Sequence, residues 1–498
     1  MSASLACKMV ALFSGVIVQR YILVAFGSTY NGLTSLISQI MSYLVLLEAG
    51  LGAASIQAFY APLNGDDWNS VSGIMNATSA SYTKIGISFG ALLLGGSLLV
   101  PLAATGEVEF FVAGLLTLVT GAGNIFTYII GGKNVALLSA DRKMYVIYSV
   151  DTVSTIMSAT LRIIALKCGV GIVLVQSIQL LCVLLKNVFL SLYVKRCYKN
   201  LDKSVPANFA AISKRWNVLV HSIAGLVVNH TDVIILTVAA SLKLVSVYNV
   251  YNMIYGQMGN VIQSTFMQAP QAEFGRALAK GKKEFEQLYA KYETLFSIFL
   301  FIVITVALVL TRPFVALYTA GVTDVEYIDS WLPILFAAIL LMSQVRAPAI
   351  ITVNATGTFK ETQRGAIIEA VINITVSLLL FFATDLGMYG LLLGTVCSYL
   401  YRTVDVIYYV YRNVIERSIW RFLKVFLVNF GCSALMWYLF CVRYPVNASS
   451  YLEWIGVAIL CGIMVLLFFA LTNILFNFKD INSALGGSVS KILKKLKK

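Results

Sequence analysis

Long apolar segments recur along the whole chain, and this pattern limits the possible folds more than any other feature. A helix that crosses a membrane needs about 20 mainly apolar residues. Segments of that length follow one another here, separated by short stretches of glycine, proline and clustered charge. Only 12% of the 498 residues are charged and 59% are hydrophobic, which is too little charge to cover a soluble protein of this size. The pattern predicts an all-α integral membrane protein.

Fourteen segments are predicted to cross the membrane. The connections between them are short, so none is expected to fold as a separate domain. Any function is therefore expected to reside between the helices. The predicted spans are residues 3–25, 33–60, 78–103, 108–133, 143–166, 168–195, 213–239, 243–269, 287–311, 329–355, 363–384, 386–411, 420–441 and 452–476.

The basic residues indicate an orientation for these spans. If the first span begins in the cytoplasm, most of the 37 Lys and Arg residues fall on cytoplasmic connections and the tail. The positive-inside rule then predicts a bacterial inner (plasma) membrane protein with both termini cytoplasmic, and it accounts for the net charge of +14 without nucleic acid. The first span is predicted to be retained and not cleaved as a signal peptide. The opposite side holds Arg162, Lys167, Lys243, Arg312 and Arg443.

Several charged residues lie inside the predicted spans. A charge at the centre of a span costs about 2.5–3.5 kcal/mol on insertion scales, so it is expected to face a cavity or an opposite charge. A structural ion pair between helices is the alternative role. Lys8, Arg402 and Asp405 lie near span ends and are expected to reach the interface instead. The candidates for a cavity are Arg20, Glu48, Asp232, Arg346 and Glu369, with Asp151 and Lys186 also inside spans.

The eighth predicted span carries a stripe of amide side chains. Asn249, Asn252, Asn260 and Gln263 fall within an arc of about 80° when each residue turns by 100°. Amide groups in a membrane need polar partners, so this face is expected to contact protein or water. The stripe suits either a wall that binds the hydroxyl groups of a sugar or hydrogen bonding between helices.

Motifs of catalysis and of metal binding are missing from the sequence. There is no GxxxxGK[ST] motif for an ATPase, no HExxH and no GxSxG. His221 and His230 are nine residues apart, on opposite faces of one helix, and the eight cysteines form no CxxC pair. We therefore predict a transporter and not an enzyme, without a metal or another cofactor, apart from a coupling proton or sodium ion.

A weak internal repeat suggests two lobes. A very short turn at residues 26–32 joins the first two spans, and a similar turn at residues 241–248 joins the seventh and eighth. Each turn follows a helix with a buried charge, Arg20 or Asp232, and opens a helix with a polar face. This arrangement predicts an N-terminal lobe over residues 1–200, a C-terminal lobe over 201–412, and two extra spans with a basic tail over 413–498.

Three patches of the sequence resemble the polysaccharide repeat-unit (Wzx-type) flippases of the multidrug/oligosaccharidyl-lipid/polysaccharide exporter superfamily. Residues 20–63 resemble the first helix pair of that family. LLSADRKMY, over residues 137–145, resembles a cytoplasmic connection, with Arg142 where the family has Gln. Residues 227–251 resemble its seventh helix and the following turn. The matching residues are Arg20; Tyr30, Gly32 and Leu33; Glu48, Gly50 and Gly52; Tyr60 and Leu63; Asp141, Lys143 and Tyr145; and Thr231, Asp232 and Tyr248.

The resemblance implies a fold and a function. The expected fold has two pseudo-symmetric six-helix lobes around a central cavity, with two C-terminal helices added. The expected activity is alternating access that moves an undecaprenyl-pyrophosphate-linked oligosaccharide from the cytoplasmic to the outer leaflet. The transported glycan then enters capsule, O-antigen or exopolysaccharide assembly. The expected partners are membrane lipids and the polymerase and glycosyltransferase machinery.

Roles for the candidate residues follow from that substrate. Fixed cations suit its pyrophosphate, and amide and hydroxyl groups suit its sugars. Glu48, Asp232 and Glu369 are predicted to bind a coupling ion or to form ion pairs. A cation-coupled multidrug exporter and a peptidoglycan-precursor lipid flippase are the alternative functions. The predicted pyrophosphate contacts are Arg20, Arg346 and Lys186, and the predicted sugar contacts are Asn249, Asn252, Asn260 and Gln263.

Overall fold

The structure is a computed structural model, and it describes the chain except for residues 1, 49, 105, 213–229, 417, 479–480 and 483–498. The residues that it describes form helices and turns, with no β-strand among them. The all-α fold predicted from the sequence is therefore confirmed. Single π-helical turns at 127–131, 263–267, 411–415 and 438–443 extend four of the helices.

Seventeen α-helices are described. They are α1 (Ser2–Leu44), α2 (Leu51–Asn64), α3 (Trp68–Ala103), α4 (Phe110–Phe126), α5 (Gly132–Ala140), α6 (Met144–Lys167), α7 (Ile172–Cys197), α8 (His230–Ala239), α9 (Leu242–Ile262), α10 (Gln268–Lys280), α11 (Lys282–Tyr318), α12 (Leu332–Val345), α13 (Ala347–Thr356), α14 (Phe359–Ala383), α15 (Met388–Val410), α16 (Trp420–Trp437) and α17 (Tyr451–Phe476).

Ten helical segments in the described part are long and apolar enough to cross a membrane. One of them, Ala6–Asn64, includes most of the first predicted span and all of the second. The predicted spans 243–269 and 386–411 correspond to α9 and α15. These two helices are less apolar than the ten segments. Most of the predicted span 213–239 lies outside the described residues, and α8 covers its end.

The first two predicted spans meet at Gly27. Its φ of 78° and ψ of −177° interrupt the helical geometry of α1. Gln19 Nε2 donates to Asn31 Oδ1 at 3.3 Å, although these residues would lie about 18 Å apart on a straight helix. The chain therefore folds back at Gly27, as the predicted short turn requires. A glycine suits this position because its φ lies in the left-handed region.

The described residues form two compact units. The first comprises Met1–Asn249 and Gly321–Val325, and the second comprises Val250–Ala320 and Glu326–Lys498. The first unit contains α1 to α8 and the first turns of α9. The lobe boundaries predicted at residues 200 and 412 stay predictions.

Close backbone packing joins α1 to α9 within the first unit. A Cβ atom added to Gly32 would lie only 1.9 Å from the carbonyl oxygen of Leu242, where α9 begins. Asn31 Nδ2 also donates to Ser246 Oγ at 2.6 Å in this buried contact. The Tyr-x-Gly-Leu pattern thus has a steric basis, because only glycine allows the two helices to approach this closely.

A short segment, Gly321–Val325, caps the second half of α1. The helical geometry of α1 is interrupted at Gly27, directly before Ser28. Asp324 Oδ2 accepts that N–H at 2.9 Å, and Asp324 Oδ1 accepts the hydroxyl of Ser28 at 2.6 Å. Lys243 Nζ donates to the carbonyl oxygen of Asp324 at 3.3 Å. Burial opposes ionisation, yet the hydrogen bonds from Ser28 hold the pKa of Asp324 below its ordinary value.

We expect Asp324→Asn to lower the stability of the first unit by about 1 kcal/mol, as for loss of a helix cap. Because the pKa of Asp324 is lowered on folding, its contribution is present above the ordinary carboxyl value of about 3.9 and is lost as pH falls through the lowered one. Thermal unfolding in detergent at several pH values measures this. Asp385→Asn, in another exposed turn, should change little, and an equal effect of both variants would contradict the cap.

Candidate functional site

A cavity of about 610 Å³ lies within the first unit. Both halves of α1, together with α4, α6 and α7, form its walls, and Asn249 of α9 also lines it. On α1, the small residues Ala11, Ser14 and Gly15 line the space. Hydroxyl and amide groups supply most of the other lining, namely Gln19, Thr34, Ser35, Ser38, Gln39, Thr120, Ser154, Thr155, Ser158, Gln176 and Gln179.

Three charged side chains line this cavity. Lys186 Nζ on α7 lies 3.1 Å from Asp151 Oδ1 on α6, so these two charges offset each other. Arg162 Nη2 on α6 donates to the amide oxygen of Gln176 at 2.7 Å. Within the described part of the chain, no carboxylate lies within 4.0 Å of Arg162, and its buried Nε has no hydrogen-bond partner. The charges that line the cavity therefore include one cation in excess.

The structure adds Arg162 to the candidate site, whereas the sequence analysis counted this residue among the basic residues of the external side and not among the site residues. It lies in α6, five residues before the helix ends, and it lines the cavity. The spacing of the polar residues along α6 could have revealed this. Asp151, Thr155, Ser158 and Arg162 recur every three or four residues and form one polar face of an otherwise apolar helix.

The structure brings some of the predicted site residues together. Lys186 and Asn249 line the same cavity. Arg20 follows the lining residue Gln19 on α1 but is not itself among the lining residues of the described cavity. Asn252, Asn260 and Gln263 continue the stripe of Asn249 into the second unit. Their role in sugar binding stays a prediction.

The two predicted carboxylates of the first unit contact tyrosines. Asp232 is only 3% exposed, and Tyr248 donates its hydroxyl to Asp232 Oδ2 at 3.3 Å. Glu48 Oε1 accepts the hydroxyl of Tyr82 at 2.7 Å. Neither carboxylate is among the lining residues of the described cavity. Binding of a coupling ion by these residues stays a prediction.

The two charged site residues predicted in the second unit form an ion pair. Arg346 Nη1, at the junction of α12 and α13, lies 2.8 Å from Glu369 Oε1 on α14. Arg402 of α15 lies 3.7 Å from the other oxygen of Glu369 and 2.6 Å from Asp405 Oδ2. The guanidinium of Arg346 also stacks 4.9 Å from the ring centre of Tyr399. Two arginines and two carboxylates thus balance in one network.

This network corrects the expectation that Arg402 reaches the membrane interface. Arg402 is only 8% exposed and lies among the helices of the second unit. The physical reason is the pairing with Glu369 and Asp405, which lowers the cost of keeping its charge away from water. Lys8, by contrast, is exposed near the start of α1.

We expect Glu369→Gln to destabilise the second unit by about 2 kcal/mol, because two guanidinium groups lose a charged acceptor. Arg402 retains Asp405 and Arg346 retains the ring of Tyr399, which limits the loss. The midpoint of thermal unfolding in detergent measures the effect. Glu361→Gln, at the exposed start of the same helix, is the matched control. Equal midpoints for the two variants would contradict a stabilising network.

The described residues contain no group of three His, Cys, Asp or Glu side chains placed to hold a metal ion. His230 contacts the side-chain oxygen of Gln39, which lines the cavity. His221 lies outside the described residues, so the predicted separation of the two histidines stays a prediction.

No protein-family model matches the chain, and no curated protein sequence matches it significantly. Solved structures do match, at low sequence identity. An inward-facing multidrug resistance MATE family transporter of the MOP superfamily aligns with a TM-score of 0.66 and 15% identity, over 87% of this chain and 98% of the other. The lipid II flippase MurJ in an inward closed conformation aligns with a TM-score of 0.68 and 15% identity, over 95% and 98%. An outward-facing MATE transporter of the same superfamily aligns at 0.55, with 15% identity over 85% and 95%.

TM-scores from 0.55 to 0.68 establish a common fold, and identities of 15% leave the substrate open. The alignments cover nearly the full length of each solved chain, so the likeness extends beyond single helix pairs. The apolar helices of the described part agree with it. The chain therefore has the multi-pass membrane fold that the MATE transporters and the flippase MurJ share.

Proposed function

We propose that the protein is a transporter that moves an undecaprenyl-pyrophosphate-linked oligosaccharide across a bacterial plasma membrane, from the cytoplasmic to the outer leaflet. The glycan would then enter capsule, O-antigen or exopolysaccharide assembly, beside a polymerase and glycosyltransferases. Alternating access of the substrate site to the two leaflets would drive the movement, with a proton or sodium ion as the coupling ion.

The polar cavity of the first unit is the observation that carries this proposal. It combines Arg162, which has no described carboxylate partner, with Lys186 and a wall of hydroxyl and amide groups. A guanidinium binds phosphate oxygens through two parallel hydrogen bonds, and an ammonium adds a mobile charge. Hydroxyl and amide groups can exchange hydrogen bonds with sugar hydroxyls. A pyrophosphate joined to a glycan requires both kinds of lining.

The candidates for the pyrophosphate differ in their charge balance. Lys186 shares the cavity with Arg162. When a phosphate replaces Asp151 as the partner of Lys186, the freed carboxylate of Asp151 becomes available to the coupling ion. Arg346 is the weaker candidate, because it is not among the lining residues of this cavity and Glu369 neutralises it at 2.8 Å. Arg20 adjoins the cavity through Gln19, and we retain it as a further contact.

Two other functions share this fold. A cation-coupled multidrug exporter is supported by the MATE structures, described as multidrug resistance transporters. We rank it lower because a site for cationic drugs should be rich in carboxylates, and Asp151 alone among the cavity's lining residues carries one. A peptidoglycan-precursor lipid flippase is the stronger alternative, since the lipid II flippase MurJ aligns over 95% of the chain and such a substrate also joins a lipid tail to phosphate and sugar.

Deletion of the gene in its host, followed by complementation, tests the function. The proposal predicts that lipid-linked oligosaccharide accumulates in the cytoplasmic leaflet while surface polysaccharide is lost, and that the intact gene restores both. Unchanged glycan export combined with greater sensitivity to cationic drugs would instead identify a multidrug exporter. Arrest of cell-wall synthesis with normal surface glycan would identify the peptidoglycan-precursor flippase.

A further inference from the structure

A second, apolar cavity lies between α6 and α7 on the first unit. Its volume is about 500 Å³. Val150, Val153 and Met157 of α6 line one side, and Leu185, Phe189 and Leu192 of α7 line the other. From Ser149 to Met157 this groove extends for about 12 Å along α6. Since both helices are predicted spans, the groove lies at the depth of the lipid tails.

The side chains of this groove face outward. Val153 is 65% exposed, Leu185 is 58% exposed and Leu192 is 60% exposed. Large apolar side chains with this exposure are stable in a membrane, where hydrocarbon surrounds them. The groove is therefore accessible to a lipid tail that approaches from the bilayer.

The groove adjoins the polar cavity. Ser154, Cys182 and Lys186 line both spaces, so the wall between them is one residue thick. Two of these side chains are small, and Ser154 Oγ donates to the carbonyl oxygen of Cys182 at 3.2 Å. Lys186 spans the same gap to reach Asp151 at 3.1 Å. An apolar surface and a cationic polar space thus meet at Lys186.

We propose that the groove between α6 and α7 binds the hydrocarbon tail of an amphiphilic lipid whose phosphate lies beside Lys186 in the polar cavity. The charge of that cavity favours an anion, and the lining of the groove favours hydrocarbon, so their junction fits a prenyl phosphate or pyrophosphate. The inference rests on the proposed function and assigns the place where the substrate's tail is held during transport.

Photocrosslinking in nanodiscs tests the site with a farnesyl diphosphate analogue that carries a diazirine in its tail. The expected labels lie on α6 and α7, at residues such as Val153 and Leu185. The matched farnesol analogue lacks the phosphates, and its labels should spread over all lipid-facing helices. Lys186→Gln should reduce labelling of the groove by the diphosphate, because the anion loses its cation.

A groove-filling variant separates tail binding from headgroup binding. Val153→Trp should lower groove labelling at least about tenfold, the loss expected when about two methylene groups lose their apolar contacts. Leu98→Trp is the control, since Leu98 is 59% exposed on α3 and lies away from the groove. Binding of a tail-free oligosaccharide diphosphate should be unchanged in both variants.

The outcomes distinguish this inference from the proposed function. Even labelling of all lipid-facing helices by the diphosphate probe, with normal binding of the oligosaccharide diphosphate, would overturn the groove and leave the function intact. Groove labelling that depends on Lys186, without any binding of the oligosaccharide diphosphate, would support the lipid site and contradict a glycan as the cargo.

Discussion

Arg162→Gln is expected to reduce affinity for an oligosaccharide diphosphate about a hundredfold and to abolish transport of the lipid-linked form. The guanidinium is the only cation of the cavity that lacks a carboxylate within 4.0 Å among the described residues. A charge-assisted hydrogen bond contributes about 1.5–3 kcal/mol, and 1.4 kcal/mol corresponds to a tenfold change in affinity. Glutamine is shorter than arginine but remains polar at this position, so the protein should still fold.

Two further variants make this result specific. Arg162→Lys keeps the charge but loses the paired donors, and it should recover part of the affinity. Arg443→Gln removes an exposed arginine whose described contact is the ring of Tyr444, and it should bind normally. Isothermal titration with the purified variants in nanodiscs measures all three. Equal affinities for Arg162→Gln and Arg443→Gln would remove Arg162 from the site.

Gly32→Ala is expected to destabilise the first unit by about 3 kcal/mol or more, the upper range for overpacking. The added methyl group would lie 1.9 Å from the carbonyl oxygen of Leu242, and backbone at the start of α9 cannot move aside as a flexible side chain can. Loss of this contact would also disturb the hydrogen bond between Asn31 and Ser246. The yield of monodisperse protein and its unfolding temperature in detergent measure the effect.

The matched control is Gly95→Ala on α3. A Cβ atom there would have no other atom within 4 Å, and alanine is the better helix former. This variant should be as stable as the original chain or slightly more stable. Similar unfolding temperatures for the two alanine variants would show that the helices do not approach as closely at Gly32 as the structure indicates.

The sequence was sufficient to predict the fold class because hydrophobicity over about 20 residues directly reflects the thickness of a bilayer. It also located the turn at Gly27 and the glycine at Gly32. Distances could not be predicted, since nothing in a single chain reveals that Leu242 approaches Gly32. Polar residues lower the hydropathy of α9 and α15 without ending these helices. Both helices are therefore missing from the ten strongly apolar segments, although the sequence predicted a span at each.

The candidate site was only partly predictable. Lys186 and Asn249 stand out as polar residues within apolar segments, and both line the cavity. Arg162 was missed because a basic residue near a helix end resembles an interfacial one in a linear sequence. Its partners on α6 and α7 become visible only when the two helices are placed side by side. The charge balance of a site cannot be predicted from the linear sequence either, since the pairing of Arg346 with Glu369 depends on contacts between α13 and α14.

Leaflet-to-leaflet transfer in proteoliposomes tests the central claim most directly. Vesicles containing the purified protein would carry a fluorescent undecaprenyl-pyrophosphate-linked oligosaccharide, and a membrane-impermeant quencher would report the accessible fraction over time. We expect the original chain to make the inner-leaflet pool accessible to the quencher, whereas Arg162→Gln and protein-free vesicles should not. Equal quenching in vesicles with and without the protein, or transfer by Arg162→Gln at the original rate, would contradict a phosphate-binding cavity that carries lipid-linked glycans.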